Sequence, residues 1–221
     1  MTLLHQGLSV SDHSLIKHKL SFLRQPEKIT STREFESLVH EITLLLGYDV
    51  SKDLPLRPME RTGEQVRPGV ELTKMPIIVP IIRPGLMMFD AMRQILSTPY
   101  AGHIGIYDDE ATKSPKTFML TLPEDMKDRP VILLDLVINR GRTSCHALNE
   151  MRAAGAAPSD ISMVVLASSK QGIETIAEDD RLKKVRIFCG HLDTEDDQML
   201  DDLSSLNYRL FRTRNRNASK R

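Results

Sequence analysis

Apolar residues follow two different rhythms, and the change between them falls near residue 76. Before it, Phe35, Leu38, Val39, Ile42, Leu45 and Leu46 recur at helical spacing, which places them on one face. Residues 33–46 are therefore expected as an amphipathic helix, with Thr30, Ser31 and Thr32 as start signals and Glu34 close behind. A shorter helix is expected over 14–24. The stretch 49–76 is rich in Pro, Gly and charge and reads as an arm or hairpin standing off the body.

From residue 76 onward short apolar runs alternate with helical segments. PIIVPII (76–82), VILLD (131–135) and ISMVVLA (161–167) are near-continuous, as strands covered on both faces should be. HIGIY (103–107) and VRIFCG (185–190) are further strands. Helices are expected over 86–96, 144–154 and 171–178, and 108–125 as a polar, Pro-containing excursion. Residues 199–211 read as a helix followed by a short strand. This alternation predicts an α/β fold, a parallel sheet flanked by helices with an N-terminal helical segment and a protruding arm. Such sheets bind ligands beyond the carboxyl ends of their strands, so chemistry is expected just after residues 82, 107, 135 and 190.

Composition adds limits. At 221 residues, with 40% hydrophobic and 27% charged content, the chain suits one domain, expected over 1–206. No apolar run approaches a membrane span, and the N-terminus lacks the pattern of a secretion signal. The two cysteines, Cys145 and Cys189, form no metal-type pair and suit a reducing, cytoplasmic compartment. Lys and Arg together equal Asp and Glu at 30 each, so no global field selects nucleic acid. Locally, 193–202 is acidic and 207–221 is basic. The latter reads either as a frayed tail or as an arm for RNA. The scattered His13, His18, His103 and His191 carry no metal spacing, and His146 reads as a helix-surface residue.

Two loops carry the candidate chemistry. In Arg83-Pro84-Gly85, between a strand and a helix, Gly85 permits close backbone approach and Arg83 can make charge-assisted bonds to phosphate. In the second, Asp135 ends a strand and leads through Asn139, Arg140, Gly141, Arg142 and Thr143 to a helix opening at Ser144. An acid for sugar hydroxyls followed by loop amides at a helix start is a geometry for a sugar phosphate. An ordinary strand-to-helix turn reads the same locally.

These segments resemble the uracil phosphoribosyltransferases. Residues 12–20 (DHSLIKHKL) are similar to that family's "HPLVKHKL", and 31–35 (STREF) to its "STKRFRE". Residues 80–88 (PIIRPGLMM) resemble "PILRAGLGM", 106–112 (IYDDEAT) resemble "MYRNEET", and the Asp135 loop falls where the family carries "DPMLATGGS". The resemblance is collinear over residues 12–192. It implies a type I phosphoribosyltransferase fold, a phosphoribosyl pyrophosphate (PRPP) site with accompanying Mg2+, and a homodimer. It also implies roles. Arg83, with Pro84 and Gly85, would grip pyrophosphate, Asp135 would hold the ribose, and Asn139 to Ser144 would hold the 5′-phosphate.

The chain departs from the pattern at three places. Arg140 and Arg142 replace a Thr and a Gly of the loop, and the Gly-to-Arg change is expected to disfavour a left-handed backbone there. Asp108 stands in place of an Arg, where Mg2+ held by Asp108, Asp109 or Asp135 would offset the negative charge. The Gly-rich uracil segment "YIIPGLGDAGDKIFGT" is replaced by residues 199–211, which contain no Gly or Pro. Three readings stay open: a phosphoribosyltransferase with a changed acceptor, a non-catalytic nucleotide or phosphate binder, and an RNA-binding protein acting through the tail.

Overall fold

A computed structural model describes residues 5–25, 29, 31–59, 69–109, 111–194 and 199–210, with side chains of the last helix through Ser204. Ten strands and six α-helices are present among them. In chain order they are β1 (Leu8–Val10), α1 (Ser14–Leu23), α2 (Thr32–Ser51), β2 (Leu56–Pro58), β3 (Val70–Leu72) and β4 (Ile77–Ile82). Then follow α3 (Leu86–Leu96), β5 (Tyr100–Ala101), β6 (His103–Asp108), β7 (Pro115–Thr121) and β8 (Val131–Ile138). The chain continues with α4 (Arg142–Ala153), β9 (Ile161–Ser169), α5 (Lys170–Ala177), β10 (Arg186–Asp193) and α6 (Met199–Leu210).

The main sheet runs in the order β1-β10-β9-β8-β4-β6-β7, with β5 paired to β4. All pairings are parallel except β6 with β7. Helices cover both faces. On one, Ile16, Leu20 and Leu23 of α1 and Phe35, Val39, Ile42, Leu46 and Val50 of α2 pack with Met88 and Met92 of α3. On the other, Ala147, Leu148 and Met151 of α4 meet Ile173 and Ile176 of α5 over Leu133, Met163 and Val165. Fully burying each large aliphatic side chain contributes about 1.5–3 kcal/mol, so the sheet is the rigid platform of the molecule.

Local signals set the helix starts. The Ser31 hydroxyl caps α2: it accepts from the Glu34 amide at 3.2 Å and donates to Glu34 Oε2 at 3.4 Å. His13 caps α1 through a ring nitrogen that accepts from the Leu15 amide at 3.2 Å. The expected arm contains the antiparallel hairpin β2–β3, and α2 runs past its expected end into Ser51.

Four expectations need correction. The excursion 108–125 contains β7, an edge strand in which Lys116, Phe118 and Leu120 face outward while Thr117 and Met119 are half-buried. Prolines 115 and 123 disguised it, although Pro is tolerated at the first residue of an edge strand. Strand β8 does not end at Asp135 but continues through Leu136, Val137 and Ile138, whose apolar side chains extend the run. Helix α4 opens at Arg142 rather than Ser144. The short strand expected before residue 211 is helix, α6 continuing to Leu210. The short β1, too brief to show periodicity, was not anticipated. Of the expected tail 207–221, the first residues belong to α6, and residues 211–221, with the RNA reading placed on them, lie outside the described residues. No helix among the described residues is long and apolar enough to cross a membrane.

Candidate functional site

Because β4, β6 and β8 are parallel neighbours, their carboxyl ends open on one side of the sheet. A cleft of about 610 Å³ lies there. It is lined by Pro84 after β4, by Tyr107 and Asp108 at the end of β6, and by Asp135 and Val137 of β8. The loop residues Asn139, Arg140, Gly141, Arg142, Thr143 and Ser144 complete it. Eight of the ten residues expected from the sequence for phosphate or ribose line this cleft; Gly85, buried in the turn after β4, and Arg83, exposed on that turn, do not.

Two glycines shape the floor by having no side chain. Gly85 is buried, and a Cβ there would press into the Leu134 carbonyl oxygen and come within 2.8 Å of the Ile81 backbone nitrogen and oxygen. The loop after β4 therefore lies directly on β8. Gly141 takes φ of 75° as the residue preceding α4, and a Cβ there would lie 2.5 Å from the Gly172 carbonyl oxygen on α5. The left-handed position of the loop is thus retained. Arg142 falls one residue later, in ordinary helical backbone, so its replacement of Gly leaves the path of the loop unstrained, contrary to expectation.

Asp135 is buried within β8, where its Oδ1 accepts from the Leu136 amide at 2.8 Å. Burial pushes its carboxyl up to about 7, and the amide bond only partly opposes this. Asp109 behaves in the opposite way. Its carboxylate accepts from Lys116 Nζ at 2.8 Å and from the Thr112 amide and hydroxyl, which hold it well below the usual range. Asp109 is spent on shaping the β6–β7 turn, which leaves Asp108 and Asp135 as the carboxylates of the cleft.

Arg142 reaches across to the same turn and donates to the Lys113 carbonyl at 2.5 Å. A second tie links α4 to β7: the Thr117 hydroxyl meets His146 Nε2 at 2.8 Å and donates to Glu150 Oε1 at 3.0 Å. His146 thus joins helix to strand rather than lining the cleft. Both thiols are neutral, burial pushing Cys145 up to about 11 and Cys189 up to about 12. Tyr107 and Val137 in the lining were not singled out from sequence, although both flank residues that were.

A mostly parallel sheet flanked by helices, with a ligand-sized cleft at the carboxyl ends of its central strands, is the architecture of a type I phosphoribosyltransferase-like protein. The family model for uracil phosphoribosyltransferase matches residues 10–213. Uracil phosphoribosyltransferases from Streptococcus pyogenes and Streptococcus pneumoniae are each 35% identical to the chain, over 214 and 216 residues. These matches cover 93% and 94% of this chain and 98% and 99% of the relatives. The structure of the AQ2163 protein from Aquifex aeolicus is similar with a TM-score of 0.78 at 26% identity, covering 92% of this chain and 97% of that one. The chain belongs to the uracil phosphoribosyltransferase family.

Proposed function

We propose that the chain binds PRPP in the cleft and transfers its phosphoribosyl group to a nucleobase-like acceptor. One observation carries the reading: Asp135, Asp108 and the whole 139–144 loop line a common cleft at the carboxyl ends of three adjacent parallel strands. The amides at the start of α4, with the positive end of its dipole, would receive the 5′-phosphate, assisted by Arg140 and by the Thr143 and Ser144 hydroxyls. Asp135 would accept from the ribose hydroxyls. Arg83, exposed on the turn next to the lining residue Pro84, would have to swing toward the cleft to steady departing pyrophosphate.

No cluster of three or more His, Cys, Asp or Glu side chains suited to a metal occurs among the described residues. Mg2+ arriving with PRPP would keep most of its water and use one or two carboxylates plus substrate phosphates. Asp108 and Asp135 are the carboxylates that would hold it, and its charge would stabilise the leaving pyrophosphate. Arg142 remains free to leave the Lys113 carbonyl for phosphate, because a single exposed hydrogen bond contributes only about 1 kcal/mol.

We also assign a second copy of the chain as the partner of the β2–β3 arm. That hairpin exposes Leu56, Met59 and Val70, more apolar surface than an isolated two-stranded element carries comfortably. Sedimentation of Leu56→Glu and Val70→Glu variants tests it, a shift to monomer being expected and an unchanged dimer or a monomeric wild type overturning it.

Calorimetric titration with PRPP, with and without Mg2+, tests the main reading. Saturable, Mg2+-dependent binding is expected, weakened about 100-fold or more in Asp135→Asn, together with pyrophosphate release when an acceptor is present. Folded protein that shows no PRPP binding overturns it. Binding without pyrophosphate release across all nucleobases would select the non-catalytic reading, which draws on the replacement of the family's Gly-rich segment by α6.

A further inference from the structure

The part of the cleft that carries Tyr107 and Asp108 is held less firmly by the sheet than the rest. The ladder between β4 and β6 consists of Ile81↔Ile104 and Ile82↔Gly105, so Tyr107 and Asp108 lie beyond its end. Their ladder partners are Lys116 and Pro115 of β7, the last strand of the sheet. By backbone pairing, the end of the β6–β7 hairpin is thus a two-stranded element, which has little stability of its own. Contacts among Asp109, Thr112, Ser114 and Lys116 shape the turn but do not fix where it stands.

Helix α4 supplies what the sheet does not. Arg142, His146 and Glu150 are spaced four residues apart and share one face of the helix. All three meet the hairpin. Arg142 donates to the Lys113 carbonyl in the turn. One helical turn further on, His146 Nε2 lies 2.8 Å from the Thr117 hydroxyl, which donates to Glu150 Oε1 at 3.0 Å. A hydroxyl has one hydrogen, and that of Thr117 goes to Glu150, so the bond to His146 is donated by Nε2. His146 Nε2 also lies 3.4 Å from Glu150 Oε1, which closes the trio. The distance from this trio to the site is short. Thr117 is the ladder partner of Ile106, and Ile106 lines the cleft two residues before Asp108. A register shift at Gly105 and Ile106 leaves Phe118, beside Thr117, without an opposite residue, and such bulges re-aim the side chains around them.

We propose that Thr117, His146 and Glu150 are positioning residues for phosphoribosyl transfer: without touching the ligand, they hold Asp108 at a fixed distance from the phosphate loop. The proposal rests on the PRPP reading of the cleft and deepens it. The first turn of α4 brings Arg142, Thr143 and Ser144 to the lining, and the hairpin brings Tyr107 and Asp108. The trio is a strut between the groups for the 5′-phosphate and the carboxylate for Mg2+ and pyrophosphate. It matters most once PRPP is bound. When Arg142 leaves the Lys113 carbonyl for phosphate, Thr117 is the remaining polar tie from this helix face to the hairpin among the described residues.

Thr117→Val removes the hydroxyl at nearly constant volume and keeps a β-branched residue in the strand. Glu150→Ala tests the same trio from the helix side, and Thr117→Ser restores the hydroxyl. Each is titrated calorimetrically with PRPP, with and without Mg2+. Because Asp108 acts through the ion, affinity with Mg2+ is expected to fall about tenfold in Thr117→Val, and by less in Glu150→Ala, which keeps the bond to His146. Affinity without Mg2+, which draws on the loop and Asp135, is expected to hold in both. Thr117→Ser is expected to recover most of the loss. Combining Thr117→Val with Arg142→Ala is expected to exceed the sum of the two single losses, because both ties hold one hairpin. Affinity with Mg2+ unmoved in Thr117→Val, or a loss of equal size with and without the ion, makes the trio a structural tie only and overturns the proposal while PRPP binding stands. Absence of PRPP binding by the wild type overturns the first reading and this one together.

Discussion

The 139–144 loop and the segment after β10 have both lost residues that the family's motifs would lead one to expect, yet they respond in opposite ways. In the loop, two arginines replace a Thr and a Gly, and the backbone keeps the left-handed Gly141, the start of α4 and the close packing on α5. After β10, where residues 199–210 contain no Gly or Pro, the element is a helix. It buries Met199, Leu200 and Leu203 in the core shared with α1 and α2. The difference is one of what does the recognising. An anion held by backbone amides at a helix start depends on where the chain runs, so exposed side chains can change around it. A base recognised by a segment of helix would have to be held by that helix's side chains instead, which single changes can remove.

The sharpest way to break this comparison is to disturb each region by a similar amount of stability and compare the effect on ligand. Gly85→Ala forces a Cβ into the backbone of β8, and Gly141→Ala adds strain at φ of 75° and a clash with α5. Each is expected to cost about 3 kcal/mol, a fall in Tm of roughly 10 °C, and to weaken PRPP binding strongly. Leu203→Ala, at a fully buried position of α6, should cost a comparable 2–5 kcal/mol and leave PRPP affinity in the surviving folded protein unchanged. Thermal unfolding paired with calorimetry reads both. Equal losses of PRPP affinity would show that the two regions are not separable.

The same contrast explains what could be read from sequence. Helix α2 and strands β4, β8 and β9 declare themselves, because burial on one or both faces imposes a periodicity that single residues do not disturb. The loop was singled out for a different reason, its resemblance to a family motif, since locally an acid, a glycine and two hydroxyls at that spacing read equally as an ordinary strand-to-helix turn. What stayed hidden depends on contacts distant in sequence. Asp135 looked like a strand end because an acid rarely lies inside a central strand, and only the cleft beside it makes that tolerable. The outward face of β7 and the tie from Thr117 to His146 and Glu150 exist because α4 packs beside β7, and nothing local announces it.

Asp135 gives the comparison a pH axis. Its folded carboxyl is raised to about 7, above the roughly 3.9 of an unfolded chain, so between those values the folded state holds the extra proton. Its contribution to stability is then fully present below about pH 4 and lost as pH rises through 7, with a slope of at most about 1.4 kcal/mol per unit. Ligand binding should run the other way. Ribose hydroxyls and Mg2+ favour the carboxylate, so PRPP affinity should climb up to about tenfold per unit toward pH 7 and then level off. Asp135→Asn is expected to flatten both profiles. Part of the binding slope belongs to titration of PRPP itself, and the slope remaining in Asp135→Asn measures that part. A wild-type slope no steeper than the variant's would break the assignment of Asp135 to the ribose.

The smallest expected effect tests whether the arginines of the loop are ligand groups or surface decoration. Arg142 is exposed and makes one hydrogen bond, to the Lys113 carbonyl, so Arg142→Ala should change stability by less than about 1 kcal/mol. If its guanidinium transfers from that carbonyl to the 5′-phosphate, the same change should weaken PRPP binding about tenfold and reduce the dependence of affinity on salt. Arg142→Lys separates charge from geometry. An ammonium restores the point charge but not the forked donor, and so should recover only part of the lost affinity. Unchanged affinity in Arg142→Ala would mean that the guanidinium only ties the β6–β7 turn to α4. The backbone amides of the loop would then hold the phosphate without it, which is the stronger form of the contrast with the C-terminal helix.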